Sequence, residues 1–175
     1  IVFPAAILQP PFFDPDGDAA INYGAIGGVI GHEITHGFDD EGRQYDAEGN
    51  LRDWWTPASD KAFRERVACV KEQYDGYTAI DELKVNGALT LGENVADLGG
   101  LKLAHAAMEA WLAKDAEAAK RAEGYRYTPS QQFFLGYAAM TRTGNYDRNK
   151  GFDEFIEDVA MVAGDFGDDA VDPTK

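Results

Sequence analysis

Apolar residues along this chain recur mostly at helical spacing. Ile21, Ile26, Val29 and Ile30 lead into His36 and predict a helix from about Asp18. Thr56-Pro57 reads as a helix start, with Thr56 as N-cap and Pro57 in the first turn. Phe63, Val67, Val70 and Tyr74 then follow at spacings of four, three and four, one stripe facing a core. A further helix carries Leu101, Leu103, Ala104 and Met108, and Thr128-Pro129 opens another through Phe133, Phe134, Tyr137 and Met140. Phe152, Phe155, Ile156, Val159 and Val162 predict an amphipathic helix over 151–164, followed by an acidic, frayed end at 165–175.

The segments between these helices are turn-rich. Pro4, Pro10, Pro11 and Pro15 make the first fifteen residues extended or turned, with a short strand expected at Ile7-Leu8-Gln9. Asp14-Pro15-Asp16-Gly17-Asp18 is a solvated turn rather than a calcium loop, since its glycine falls at the fourth position and not the sixth. Turn formers at 39–43 and 46–50 bracket a short hairpin through Gln44 and Tyr45. Trp54-Trp55 is expected in the core or at its rim. The fold class is therefore mainly α, with a short β element near the N-terminus.

Gly24, Gly27, Gly28 and Gly31 lie inside the first long helix, each costing about 1 kcal/mol relative to alanine. An offsetting gain is expected from a neighbouring backbone packed against this glycine face around Gly27, which would bury the helix.

Composition narrows the function. At 175 residues and 45% hydrophobic content the chain can bury a core as one unit. The net charge of -15 disfavours a nucleic-acid partner, which needs clustered Lys and Arg. The opening run Ile1 to Leu8 is too short to span a bilayer and has no basic flank, so no membrane segment or signal peptide is expected, and the chain reads as cut from a longer one. The single Cys69 cannot form an internal disulfide and is expected to be a small buried residue.

The chemistry lies at Gly31-His32-Glu33-Ile34-Thr35-His36. Four residues apart on a helix, His32 and His36 can reach one metal ion, and neutral imidazole is a good zinc ligand. Glu33, between them, is the natural general base, placed to take a proton from water at the open metal position. A third ligand is still required. In Gly92-Glu93-Asn94-Val95-Ala96-Asp97 the two carboxylates again stand four apart on one face. Either Glu93 is the third zinc ligand, with Asp97 accepting the outer N–H of an imidazole such as His32, or both simply occupy a solvated helix start favoured by the helix dipole. Asp39 and Asp40 admit a similar pair of readings, as partners of His36 or as helix-end turn residues. His105 reads as a packing histidine.

These motifs, in this order, together with Phe12-Phe13, Asn22-Tyr23-Gly24, Asp53-Trp54-Trp55 and Phe133-Phe134-Leu135-Gly136-Tyr137, resemble the neprilysin and endothelin-converting-enzyme family of zinc endopeptidases, family M13. The resemblance runs from about Val2 to Ala139. It implies a thermolysin-like zincin (gluzincin) catalytic fold, one zinc ion per chain held by His32, His36 and Glu93, Glu33 as catalytic base, and Asp97 as a second active-site acid that orients or donates a proton. It also implies a peptide substrate and a longer parent chain whose N-terminal helical lobe restricts access to small peptides. Catalytic-domain character is expected over 1–150, with a divergent helix and acidic tail over 151–175.

The family's later Asp-x-His-x-Pro-x-x-x-Arg segment, which stabilises the oxyanion, has no counterpart, nor does its Asn-Ala-aromatic segment. That leaves a rival expectation: a zinc-binding but catalytically silent fragment acting through surface contacts. With one cysteine, a soluble bacterial protein, cytoplasmic, periplasmic or secreted, is favoured over an animal membrane ectodomain.

Overall fold

The computed structural model describes residues 1–122 and 127–141, so the helix expected over 151–164 and the acidic end lie outside the described residues. Asp18 caps the first helical stretch, its carboxylate accepting a 2.8 Å hydrogen bond from the Ala20 amide. Helix α1 (Ala19–Asn22) passes through a π-type turn at Tyr23–Gly27 into α2 (Gly28–Thr35), which tightens into a 3-10 turn at His36–Phe38. The expected helix is present, with a wider turn in its middle.

Helix α3 (Pro57–Gly76) begins at the predicted cap, where Thr56 Oγ1 accepts from the Ser59 amide at 3.1 Å. Its stripe of Phe63, Val67, Val70 and Tyr74 is half-buried. Cys69 departs from expectation and is exposed. At about 100° per residue, its position lies roughly 130° around the helix from the middle of the stripe.

A hairpin follows. Strands β1 (Thr78–Ile80) and β2 (Leu83–Lys84) pair antiparallel, Thr78 opposite Lys84 and Ile80 opposite Leu83, with Asp81 at φ 49° in the turn. The strand expected at Ile7-Leu8-Gln9 is not formed. Ala5–Ile7 is a 3-10 turn in which the Ile7 amide donates to the Pro4 carbonyl at 3.0 Å, and the prolines on either side leave too few N–H groups for a ladder. The hairpin expected at Gln44 and Tyr45 reduces to a single bridge, Tyr45 to Leu51. Trp54 and Trp55 sit at a rim, edge to face at 5.8 Å, with Trp54 exposed.

The remaining described elements are α4 (Leu91–Leu112), α5 (Ala116–Ala122) and α6 (Pro129–Thr141). In α6 Phe133 and Leu135 are fully buried and Phe134 is exposed, so Leu135 fills the core position expected of Phe134. No helix among the described residues is long and apolar enough to cross a membrane.

The residues group into two compact units, one formed by Val29–Leu103 with Ile1, the other by Val2–Gly28 and the described residues from Ala104 onward. The second unit has an apolar core of Ile21, Ala25, Ile26, Ala104, Met108, Phe133, Leu135 and Ala139. Within it a Cβ on Gly24 would collide with the Phe133 carbonyl, and one on Gly136 with the Ile21 carbonyl, so α1 and the π turn lie directly on α6. His105 packs here as expected, Nε2 3.0 Å from Ser130 Oγ and its ring edge-on to Phe133.

The first unit carries α2, α3, the hairpin and the beginning of α4. Here a Cβ on Gly31 would stand 2.5 Å from the Gly100 carbonyl oxygen. Close backbone approach thus occurs at Gly24 and Gly31, whereas Gly27 has only ordinary contacts, the nearest at 3.6 Å. Helix α2 is buried on its glycine side alone: Ile30 and Ile34 are exposed.

Candidate metal centre

Three donor atoms converge in the first unit. His32, inside α2, and His36, at the start of the 3-10 turn, bring their Nε2 atoms to 2.9 Å from each other. Glu93, in the first turn of α4, brings Oε2 to 3.2 Å from His32 Nε2 and 3.6 Å from His36 Nε2. Among the described residues this is the group of three ligand-type side chains whose donor atoms all lie within 4.8 Å of one another.

The outer nitrogens define the chemistry. His32 Nδ1 lies 2.8 Å from Asp97 Oδ1, and His36 Nδ1 lies 2.7 Å from Asp39 Oδ2. A carboxylate only accepts, so each Nδ1 carries a proton, and in that tautomer it is Nε2 of each ring that faces the centre and can offer a lone pair. Two Nε2 atoms at 2.9 Å with a carboxylate oxygen beside them gather three donors around one point, a place for a shared cation, whether a proton or a metal ion. The donor set therefore fits a divalent metal, and two nitrogens with one oxygen suit zinc.

Asp39 is held with particular firmness. It is buried, and its second oxygen accepts from the Glu41 amide at 2.9 Å and the Gly42 amide at 2.6 Å. Burial works against its charge, yet the bonds from His36 and from those two amides prevail and keep its carboxyl below the ordinary value. The bond to Asp39 in turn raises the pKa of His36, against partial burial, with the negative charges of Glu93, Asp39 and Glu33 adding to it. Asp39 is thus both the helix-end turn residue and the partner of His36, two readings that sequence treats as alternatives. Its signal was the three-residue separation from His36, which puts the carboxylate one turn beyond the ring. Asp40 shares the loop, with Oδ1 buried and no hydrogen-bond partner.

Glu33 is exposed at the edge of this group, close enough for its charge to act on His36. Glu93 keeps 70% of its side chain accessible and the two histidines 19% and 30%, so the centre opens to solvent on the Glu93 side.

A mainly helical fold of this kind is that of the thermolysin-like zincins. Residues 1–158 match peptidase family M13. Neprilysin-11 of Caenorhabditis elegans is 51% identical over 139 residues, which are 79% of this chain and 16% of that protein. Endothelin-converting enzyme 1 of Bos taurus is 50% identical over 140 residues, 80% of this chain and 18% of that protein. Among solved structures, the zinc metalloprotease Zmp1 of Mycobacterium tuberculosis in complex with an inhibitor superposes with a TM-score of 0.69 at 46% identity, covering 79% of this chain and 21% of that one. The chain belongs to peptidase family M13. It spans less than one fifth of the length of these two relatives, 16% and 18%.

Proposed function

We propose that this chain is the metal-bearing catalytic part of a zinc endopeptidase that hydrolyses peptide bonds of oligopeptides, with residues 1–150 as the catalytic portion of a longer parent that supplies an N-terminal lobe. The observation that supports this most directly is the pair of imidazole Nε2 atoms meeting at 2.9 Å beside Glu93, each ring fixed from behind by a carboxylate. Family membership and the names of the relatives point the same way.

In this reading His32, His36 and Glu93 are the residues that would hold one zinc ion. When bound, zinc supplies a Lewis-acid charge that polarises a peptide carbonyl and makes water acidic near neutral pH. Asp97 and Asp39 keep the two rings in the tautomer that points Nε2 inward. Glu33 takes a proton from the attacking water as oxygen bonds to the carbonyl carbon, then delivers it to the leaving amine nitrogen as the C–N bond breaks. Asp97, 2.8 Å from His32, acts by orienting that ring.

The test is zinc content and peptide turnover in the parent, Glu33→Gln and His36→Ala. Glu33→Gln should keep one zinc and lose about 10²- to 10⁴-fold in turnover, and His36→Ala should lose both. Normal turnover in Glu33→Gln would sink the mechanism. A zinc-loaded parent with no turnover on any oligopeptide would turn the reading to a catalytically silent metal domain.

A further inference from the structure

The donor atoms come from two helices, so their separation is set wherever those helices touch. Contacts between α2 and the start of α4 pair in reverse order along the chain: Gly31 against Gly100, His32 with Asp97, His36 near Glu93. At the first of these, a Cβ on Gly31 would stand 2.5 Å from the Gly100 oxygen and 2.8 Å from its Cα. One turn further along α2, Thr35 meets Gly99, where a Cβ would stand 2.5 Å from Thr35 Cγ2 and 2.7 Å from its Oγ1. Thr35 cannot turn aside, because Oγ1 donates to the Gly31 carbonyl at 2.8 Å and a β-branched side chain is stiff at χ1.

On one helix these contacts fall at the residue just before each histidine, Gly31 before His32 and Thr35 before His36, and on the other they fall just beyond Asp97. Non-bonded carbons rest about 3.5–4.0 Å apart, so a single methyl group in this crossing drives the helices apart by about 1 Å. Metal sites tolerate roughly 0.2 Å in ligand distance. We infer that Gly31, Gly99, Gly100 and Thr35 are positioning residues: the glycine crossing sets the gap between the imidazole pair and Glu93, and thereby the affinity for zinc. This inference rests on the zinc reading above.

The experiment is a double-mutant cycle on Gly99 and Thr35 in the 175-residue chain. Zinc affinity is measured by chelator competition, and the ligand field by the visible spectrum of the cobalt-substituted protein, under conditions where circular dichroism shows every variant folded. Gly99→Ala should weaken zinc binding by about 10- to 100-fold, the range for losing a group that orients a ligand, and should shift the cobalt bands. Thr35→Ala removes Cγ2 and Oγ1 and leaves only its Cβ, at 3.1 Å from the new methyl, so the double variant should regain most of the lost affinity. Gly76→Ala, at a glycine with nothing within 4 Å, should match the parent in both readouts.

If the parent binds zinc and Gly99→Ala binds it equally well, the positioning role is overturned while the zinc reading stands. Weakened binding that Thr35→Ala fails to restore overturns it too, since the effect would then not pass through this contact. A folded parent that binds no zinc overturns the zinc reading and this inference with it. Should Gly99→Ala alone not fold, Gly99→Ala with Thr35→Ser, which keeps Oγ1 at 2.7 Å from the new methyl, takes its place: zinc binding weaker than in Gly99→Ala with Thr35→Ala upholds the role, and equal binding overturns it.

Discussion

The two units are ordered by different forces. The unit with α6 has a conventional apolar core, with Phe133, Met108 and Leu135 fully buried. The unit with the candidate metal centre has no large apolar side chain fully buried among the described residues; Leu91 and Ala96 are its buried apolar positions. Its order comes from polar ties. Asp39 gathers His36 and two backbone amides, Arg43 pairs with Asp60 at 2.7 Å while lying over Trp55 and Phe63, and Asp75 accepts from Lys71 and from the Gly87 amide. Hydrophobic burial is non-directional and fills space, whereas hydrogen bonds fix orientation. A centre that must aim three donor atoms at one point is built with the second kind of force.

Substitutions that separate these forces test the contrast. The largest expected effect is in the apolar unit: Phe133→Ala should cost about 3–5 kcal/mol, read from urea unfolding followed by circular dichroism, with zinc affinity of the folded protein unchanged. A matching fall in zinc affinity would break the separation. Asp39→Ala comes next. It strands the His36 Nδ1–H and two amides, so a loss of about 1–3 kcal/mol is expected together with about 10- to 100-fold weaker zinc binding, measured by chelator competition. Loss of stability with undiminished binding would show that Asp39 serves the turn and not the ring.

The smallest effect concerns acid. The bond from Lys71, then that from the Gly87 amide, hold the Asp75 carboxyl below its ordinary value in the folded chain. A depressed folded pKa contributes stability above the unfolded value, near 3.9, and that contribution is lost as pH falls through the folded pKa. Asp75→Asn should therefore flatten the acid limb of a stability-against-pH curve below about pH 4 and leave the neutral region nearly level. An unchanged acid limb would remove Asp75 from the set of ties.

Much of this was legible locally. The Thr56-Pro57 start of α3, the Thr128-Pro129 start of α6 and the helix beginning at about Asp18 each depend on a few adjacent residues, and each occurs where those residues stand. The strand at Ile7-Leu8-Gln9 failed because proline chemistry outweighed apolar alternation. Cys69 failed because residue type alone does not tell which way a helix turns its faces. The partner of His36 was readable only as one of two uses of Asp39, since a carboxylate has two oxygens and here each serves a different purpose.

By itself, the sequence determined the mainly helical character and the grouping of like residues: two imidazoles on one helical face and two carboxylates on another, because helical periodicity is a local property of the backbone. Only the tertiary structure decided that those two faces meet, and at what distance. That distance depends on Gly31 against Gly100 and Thr35 against Gly99, pairs more than sixty residues apart, and no local pattern specifies how closely two backbones approach.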